Sequence, residues 1–385
     1  MKSNYRSVYT AFDPYPSHKG SAVHIEKASG VLNDKFGNTL LLTLPRQTHK
    51  RVKRPIKHVQ YDLEKSNFLN RALAYSAWVD EILQSQYHLQ VGHFRDVWGG
   101  LPILKHPHIT SVFEVNGLPS IELQNRYSYI TKDTIQKIQK LEDECLQKTD
   151  LIVCPSETIK KHLITRNVSP NKIHVITNGA IIPKDYKKPS RLPDQYIVYF
   201  GALQPWQGVD VLIKAMQYLQ DKPEIKLVIC SAHKEKFSKV YQKLVNKLGL
   251  AEQVIWKHKL NKEKLFQIIQ HAVCTVAPLT ECSRNLEQGC SPLKIFESMA
   301  CKAPIIASDL PVVREILEPG VDAKLVRPDR PAELARAIRL FVDYPGHREE
   351  LAQQAFLKLN KMYTWDKIDA KLSAFYDKLV SLVYT

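Results

Sequence analysis

The stretch "GCSPLKIFESMACKAPIIASDL", residues 289–310, reads as a helix followed by a short β-rich run. Ser291 is a good N-cap and Pro292 suits the first helical position, which places Lys294 third in the helix. A cation there opposes the helix dipole and costs roughly 0.3–1 kcal/mol unless an anion sits nearby. Leu293, Phe296, Met299 and Ala300 follow the apolar period, so Lys294, Glu297, Ser298 and Cys301 share the opposite face. Upstream, "CTVAP" (274–278) reads as a strand and 279–290 as a loop, which makes one strand–loop–helix unit. Free N–H groups at such a helix start form an anion site, and Lys294 adds a full charge to it. Glu297, three residues on, is placed to accept bonds from a diol such as ribose. The two together suit a nucleoside diphosphate, with its sugar end farther along the helix. A solvent-exposed Lys–Glu pair has the same spacing, and spacing alone does not separate the two.

Around this unit, short β-rich runs alternate with helical ones, the pattern of parallel sheets covered by helices. "SVYTAF" (7–12), "TLLLTL" (39–44), "LQVGHF" (89–94), "ITSVFEV" (109–115), "LIVCP" (151–155) and "IHVIT" (173–177) read as strands. A helix is expected from Ser21 and another over 134–147. The aperiodic "NGAIIPKDYKKPSRLPD" (178–194), with three prolines, reads as a linker. The alternation then restarts with "YIVYF" (196–200), "KLVICS" (226–231), "QVIWK" (253–257), "CTVAP", "PIIAS" (304–308) and "AKLV" (323–326). A last helix from Trp365 puts Trp365, Ile368, Leu372, Phe375, Leu379 and Val383 on one face. Asp366, Asp369 and Asp377 make it less basic than a membrane-surface helix, so packing across a domain junction is expected. The fold class is α/β, two doubly wound domains sharing a cleft, with ligands at the carboxyl ends of the strands.

The 385 residues suffice for two cores. No apolar run of roughly 18 residues argues for a membrane span, and "MKSNYRSVYTAFDPYPS" is too polar for a signal-peptide core. Seven cysteines, none in C-x-x-C spacing, point to free thiols in a reducing cytoplasm. Net charge is +16, spread evenly: 25 Lys/Arg against 17 Asp/Glu over residues 1–185, and 30 against 22 thereafter. "RQTHKRVKRPIKH" (46–58) holds six Lys/Arg and no acid, which suits an anionic membrane surface, nucleic acid, a phosphorylated substrate or a plain solvated loop.

"SPLKIFESMACKAPIIASDLPVVREIL" resembles the nucleotide-binding signature of the family 4 glycosyltransferases, retaining enzymes of the GT-B fold. "PYPSHKGSAVHI" (14–25), "DLIVCPSETIKKHL" (150–163), "IHVITNGA" (173–180) and "VYFGALQPWQGVDVLIKAM" (198–216) follow the family's order. The resemblance implies that Lys294 contacts the donor's phosphates and Glu297 its ribose. It divides the chain into an acceptor-binding domain (1–180), a linker (181–194), a nucleotide-sugar domain (195–363) and a terminal helix (364–385) crossing back to the first. Three departures stand out. The family's first glutamate falls at Gly289, so the sugar contact passes to backbone N–H groups at Gly289, Cys290 and Ser291, or to Glu287 or Glu281. Where the family places an arginine and a lysine stand Ala202 and Gln207, leaving Trp206, Gln207 and Arg284 as local candidates. The usual acceptor-domain histidine is not evident, and His93 and Asn116, just past strands, are its candidates. Gly20 reads as a backbone phosphate donor or an ordinary turn glycine. Pro292 and Leu293 complete the donor-side segment.

No G-x-x-x-x-G-K-[ST], G-x-G-x-x-G, G-x-S-x-G or D-x-D occurs. The expected activity is a cytoplasmic, metal-independent, retaining hexosyl transfer from a nucleoside-diphosphate sugar, without a cofactor. The acceptor is expected to be a hydroxyl on an envelope glycan or glycolipid, with the enzyme peripheral to the membrane through 46–58. A GT-B phosphorylase or epimerase, and a non-catalytic binder of sugar nucleotides or nucleic acid, are the alternatives.

Overall fold

The computed structural model describes residues 4–48, 56–62, 66–127, 129–231 and 234–383. They form two compact units, Met1–Thr177 with Asp366–Thr385, and Asn178–Trp365. In the first unit the strands are β1 (Ser7–Pro14), β2 (Thr39–Leu44), β3 (Lys57–Gln60), β4 (Val91–Phe94), β5 (Thr110–Glu114), β6 (Leu151–Cys154) and β7 (Ile173–Val175). They make one parallel sheet in the order β3-β2-β1-β4-β5-β6-β7. The helices are α1 (Gly20–Phe36), α2 (Phe68–Leu83), α3 (Val97–Ile103), α4 (Pro119–Arg126), α5 (Lys132–Lys148) and α6 (Glu157–Thr165). One sheet face buries Val8, Phe94 and Phe113 against α2, α3 and α5. The other buries Tyr9, Val91 and Val112 against α1 and the terminal helix. Strands covered on both faces must be apolar throughout, which is why "TLLLTL" is buried at every position.

The second unit carries β8 (Tyr196–Gly201), β9 (Lys226–Ser231), β10 (Val254–His258), β11 (Cys274–Ala277), β12 (Ile305–Ser308) and β13 (Lys324–Val326). Their order is β10-β9-β8-β11-β12-β13, again parallel. Its helices are α7 (Val209–Met216), α8 (Lys239–Lys247), α9 (Lys262–Gln270), α10 (Leu293–Ala300), α11 (Pro311–Arg314), α12 (Pro331–Asp343) and α13 (Pro345–Met362). In each sheet the order reverses once, between β1 and β4 and between β8 and β11. Ligands of doubly wound sheets bind outside the strands' carboxyl ends at that switch point.

The structure adds detail to the expected organisation. Residues 181–194 are not a free connection: Gln270 Nε2 donates to the Lys184 carbonyl (3.0 Å), and the Tyr186 carbonyl lies 2.7 Å from His271 Nε2. These bonds tie the segment to the second unit. The edge strand β3 lies partly inside the basic 46–58 segment, where Lys57 and His58 mask a strand pattern. Lys50, Arg51, Lys53 and Arg54 of that segment lie outside the described residues. The final helix, α14 (Trp365–Val383), buries Leu372, Phe375, Tyr376 and Leu379 on the first unit, and Ile368 is buried as well. Its acids have partners on α1: Asp369 pairs with Lys27 and Asp377 with Lys35, both at 2.6 Å. Among the described residues no helix is long and apolar enough to cross a membrane.

Candidate functional site

At the switch point of the second unit, β8 ends at Gly201, whose φ of 130° is open to glycine alone. A Cβ there would lie 3.5 Å from Lys294 Cε, so the lysine's end rests against the end of β8. The chain then runs through a 3-10 turn, Pro205–Gln207, to Gly208. Gly208 has φ 65°, and a Cβ on it would stand 1.8 Å from the Pro278 carbonyl oxygen. Only glycine lets the loop after β8 close on the loop after β11. The Trp206 carbonyl fastens this closure, accepting from Thr280 N (3.2 Å) and Asn285 Nδ2 (2.9 Å).

The segment 279–290, expected as a plain loop, contains a π-helical turn, Arg284–Gln288. Such turns recur at functional sites. This one sets the Arg284 guanidinium 5.4 Å from the centre of the Trp206 ring. Gly289, at φ 82°, donates its N–H to the Arg284 carbonyl (3.0 Å), so it is spent on the turn and does not serve a sugar. Glu281 and Glu287 are exposed, and the Glu281 N–H bonds Asp329.

α10 begins one residue later than expected, at Leu293, which makes Lys294 its second residue. Ser291 does not cap it: the Ser291 hydroxyl accepts from Asn178 N (3.4 Å), and its carbonyl accepts from Asn178 Nδ2 (2.6 Å). Asn178, from the "NG" pair, therefore fixes the approach to the helix. Both faces of α10 are packed. Lys294, Ile295, Phe296, Ser298, Met299 and Ala300 are all buried, and Leu293 and Glu297 are the partly exposed positions. The N–H groups of Cys290, Ser291, Leu293 and Lys294 make no hydrogen bond among the described residues.

Lys294 is 9% exposed. Its ammonium donates to Gln207 Oε1 (2.5 Å) and lies 4.1 Å from the centre of the Tyr199 ring. Tyr199 is itself held by a bond from its hydroxyl to the Ala202 carbonyl (2.5 Å). Burial pushes the lysine's pKa down to about 7, Cys290 and Glu297 resist, and the Arg284 charge adds to the depression. Glu297 is raised by burial, against the pull of Lys262 and Lys294. A buried cation bonded to a neutral amide, beside a second cation and four unengaged N–H groups, is arranged to receive an anion.

The acceptor-side candidates fare differently. His93 lies within β4, wholly buried and stacked on Tyr9 at 4.9 Å. Glu114 Oε2 is 3.2 Å from its Nε2, and the Tyr376 hydroxyl 2.6 Å from its Nδ1. With both nitrogens engaged and no exposed surface, His93 cannot meet a substrate. Asn116, half-buried past β5, donates to Glu114 Oε1 at 2.6 Å. Gly20 opens α1, exposed, behind the uncapping Lys19. The residue that organises this end of the sheet is Glu114, which the sequence reading missed. Its carboxylate also accepts from Tyr9 (2.7 Å) and Arg95 (2.9 Å) and faces His24 at 3.4 Å. Burial alone would raise its pKa, but the Arg95 charge and the His24 and His93 donors hold it well below the usual carboxylate range.

Two family models match in succession: Glycosyltransferase Family 4 over residues 20–181, and Glycosyl transferases group 1 over residues 183–358. The MMP alpha-(1->4)-mannosyltransferase of Mycolicibacterium hassiacum is 25% identical over 238 residues, 62% of this chain. That match spans 56% of the relative's own length. Among solved structures, the sucrose-phosphate synthase of Thermosynechococcus elongatus superposes with a TM-score of 0.81. It is 15% identical and covers 98% of this chain and 100% of its own. Anabaena Alr3699/HepE in complex with UDP-glucose gives a TM-score of 0.75 at 15% identity, covering 97% and 99%. At such identity both share the fold and nothing finer is carried over.

Proposed function

From the premise that the chain belongs to the family 4 glycosyltransferases of the GT-B fold, we propose that it transfers a sugar from a nucleoside-diphosphate donor to an acceptor hydroxyl with retention. The observation that carries this reading is Lys294, buried between the end of β8 and the Tyr199 ring, with no carboxylate on its ammonium and no partner for the N–H groups at its helix start among the described residues. A departing diphosphate supplies the missing negative charge. Lys294, the N–H groups of Cys290, Ser291, Leu293 and Lys294, and Arg284 would stabilise it as charge builds on the leaving oxygen. The acceptor hydroxyl attacks the same sugar face, and its proton passes to the leaving phosphate oxygen. Glu297, the partly exposed acid on α10, would take the ribose diol. This charge arrangement asks for no metal ion.

An envelope glycan or glycolipid is the acceptor class we favour. The donor is tested by thermal shift with UDP, GDP, ADP and their sugars, since a ligand that binds only the folded chain raises its melting temperature. A shift with one base and turnover of its sugar are the expected results. No shift with any of the three contradicts the reading.

A further inference from the structure

The two oxygens of Glu114 face different ways. Oε2 meets Tyr9 and His93, both wholly buried. Oε1 meets Asn116 Nδ2, Arg95 Nη1 and His24 Nδ1, from side chains nearer the surface at the carboxyl ends of the central strands. Because Glu114 stays ionised, it can only accept, so His93 Nε2 carries a proton. The Tyr376 hydroxyl lies 2.6 Å from the ring's other nitrogen, Nδ1. Burial keeps that phenol protonated. The contacts therefore run in series, from Tyr376 through His93 to Glu114.

Tyr376 comes from α14, 283 positions from His93. The α14 helix is held on α1 by its own ion pairs, Lys27–Asp369 and Lys35–Asp377, on either side of this contact. The hydroxyl is thus presented by a helix whose place does not depend on the network it completes. A carboxylate with one oxygen fixed from behind cannot rotate, and the groups on its other oxygen keep one geometry.

We propose that Tyr376 is a positioning residue of the acceptor side. Through His93 it fixes Glu114, and Glu114 holds Arg95, Asn116 and His24 where an acceptor hydroxyl is met. The assignment rests on the glycosyltransferase reading above. With its Nδ2 committed to Glu114, Asn116 still offers its carbonyl oxygen, and Arg95 offers further N–H donors. Such a set fits the hydroxyls of a polyol.

Tyr376→Phe deletes one hydroxyl and keeps the ring beside Phe36 and Phe375. In the isotope-labelled full chain, the variant should move the His93 Nδ1 signal and, with it, the side-chain signals of Asn116 and Arg95. Release of nucleoside diphosphate from UDP-, GDP- or ADP-sugars, with mannose, glucose or water as acceptor, should slow on the order of tenfold. Affinity for the matching nucleoside diphosphate should not change, because that cluster lies in the other unit. The proposal is overturned if His93 shifts while Asn116, Arg95 and the rate stay at wild-type values. It is equally overturned if the rate falls only in proportion to diphosphate affinity or folded fraction. If the wild type itself neither binds nor consumes any of these nucleotides, the glycosyltransferase reading fails, and this assignment with it.

Discussion

At the carboxyl ends of its strands each unit buries a charged side chain, Glu114 in the first and Lys294 in the second, and the two are treated in opposite ways. Glu114 is surrounded by donors, including the Arg95 guanidinium, and its ionised form is stabilised by the protein alone. Lys294 has a neutral amide and an aromatic face for company, and burial has pulled its pKa to about 7. A buried charge completed internally is part of the structure. One left incomplete raises the energy of the free protein, and a ligand of opposite sign relieves that cost.

The largest expected effect breaks the completed cluster. Glu114→Gln leaves the buried Arg95 with only the more distant Asp13 carboxylate (3.7 Å) as counter-charge and should lower stability by about 3 kcal/mol in denaturant titrations. The wild type's own contribution from Glu114 is present above the ordinary carboxylate value of 4.5 and is lost as pH falls toward and through its lowered pKa. The incomplete cluster should respond with the opposite sign. Lys294→Met keeps an unbranched side chain and removes a charge that burial disfavours, so the free protein should be unchanged or up to about 3 kcal/mol more stable. Substantial destabilisation would show that Lys294 is a structural ion like Glu114.

The pH dependence sharpens the contrast further. Below about pH 7 Lys294 is protonated in folded and unfolded chains alike, and its burial cost is full. Between there and 10.5, its ordinary value, the unfolded chain holds the extra proton, so this group's contribution to stability rises with pH. Diphosphate binding needs the charged lysine, so wild-type affinity should fall about tenfold per pH unit above 7, and Lys294→Met should lose that slope. The smallest effect is none at all: with the leaving charge met by Lys294, Arg284 and backbone N–H groups, donor turnover should survive EDTA. Loss on chelation with recovery on Mg²⁺ would contradict this.

How far these features show in the sequence follows from how local their causes are. Strands buried on both faces are continuous apolar runs, so 39–44 and 226–231 are legible residue for residue. β3 is not, because an edge strand tolerates Lys57 and His58. Lys294 stands out by its place at a helix start, yet the start itself shifts by one residue because Asn178, far away in sequence, takes the Ser291 hydroxyl. Glu114 is invisible for the same reason carried further. Its donors come from positions 9, 24, 93, 95 and 116, which share no motif and meet only once the sheet has formed. His93 drew notice as a histidine at the end of a strand, and its complete burial is a property of α1 and α14 packing over it.

The central claim is that Lys294 is kept incomplete for a diphosphate. It is tested most directly by calorimetry of the nucleoside diphosphate and the bare nucleoside on wild type and on Lys294→Met, near pH 7. A charge-assisted contact to phosphate is worth about 1.5–3 kcal/mol. The diphosphate should therefore weaken on the order of ten- to a hundredfold in the variant, while the nucleoside binds as before. Equal affinities of the diphosphate for the two proteins would contradict the account.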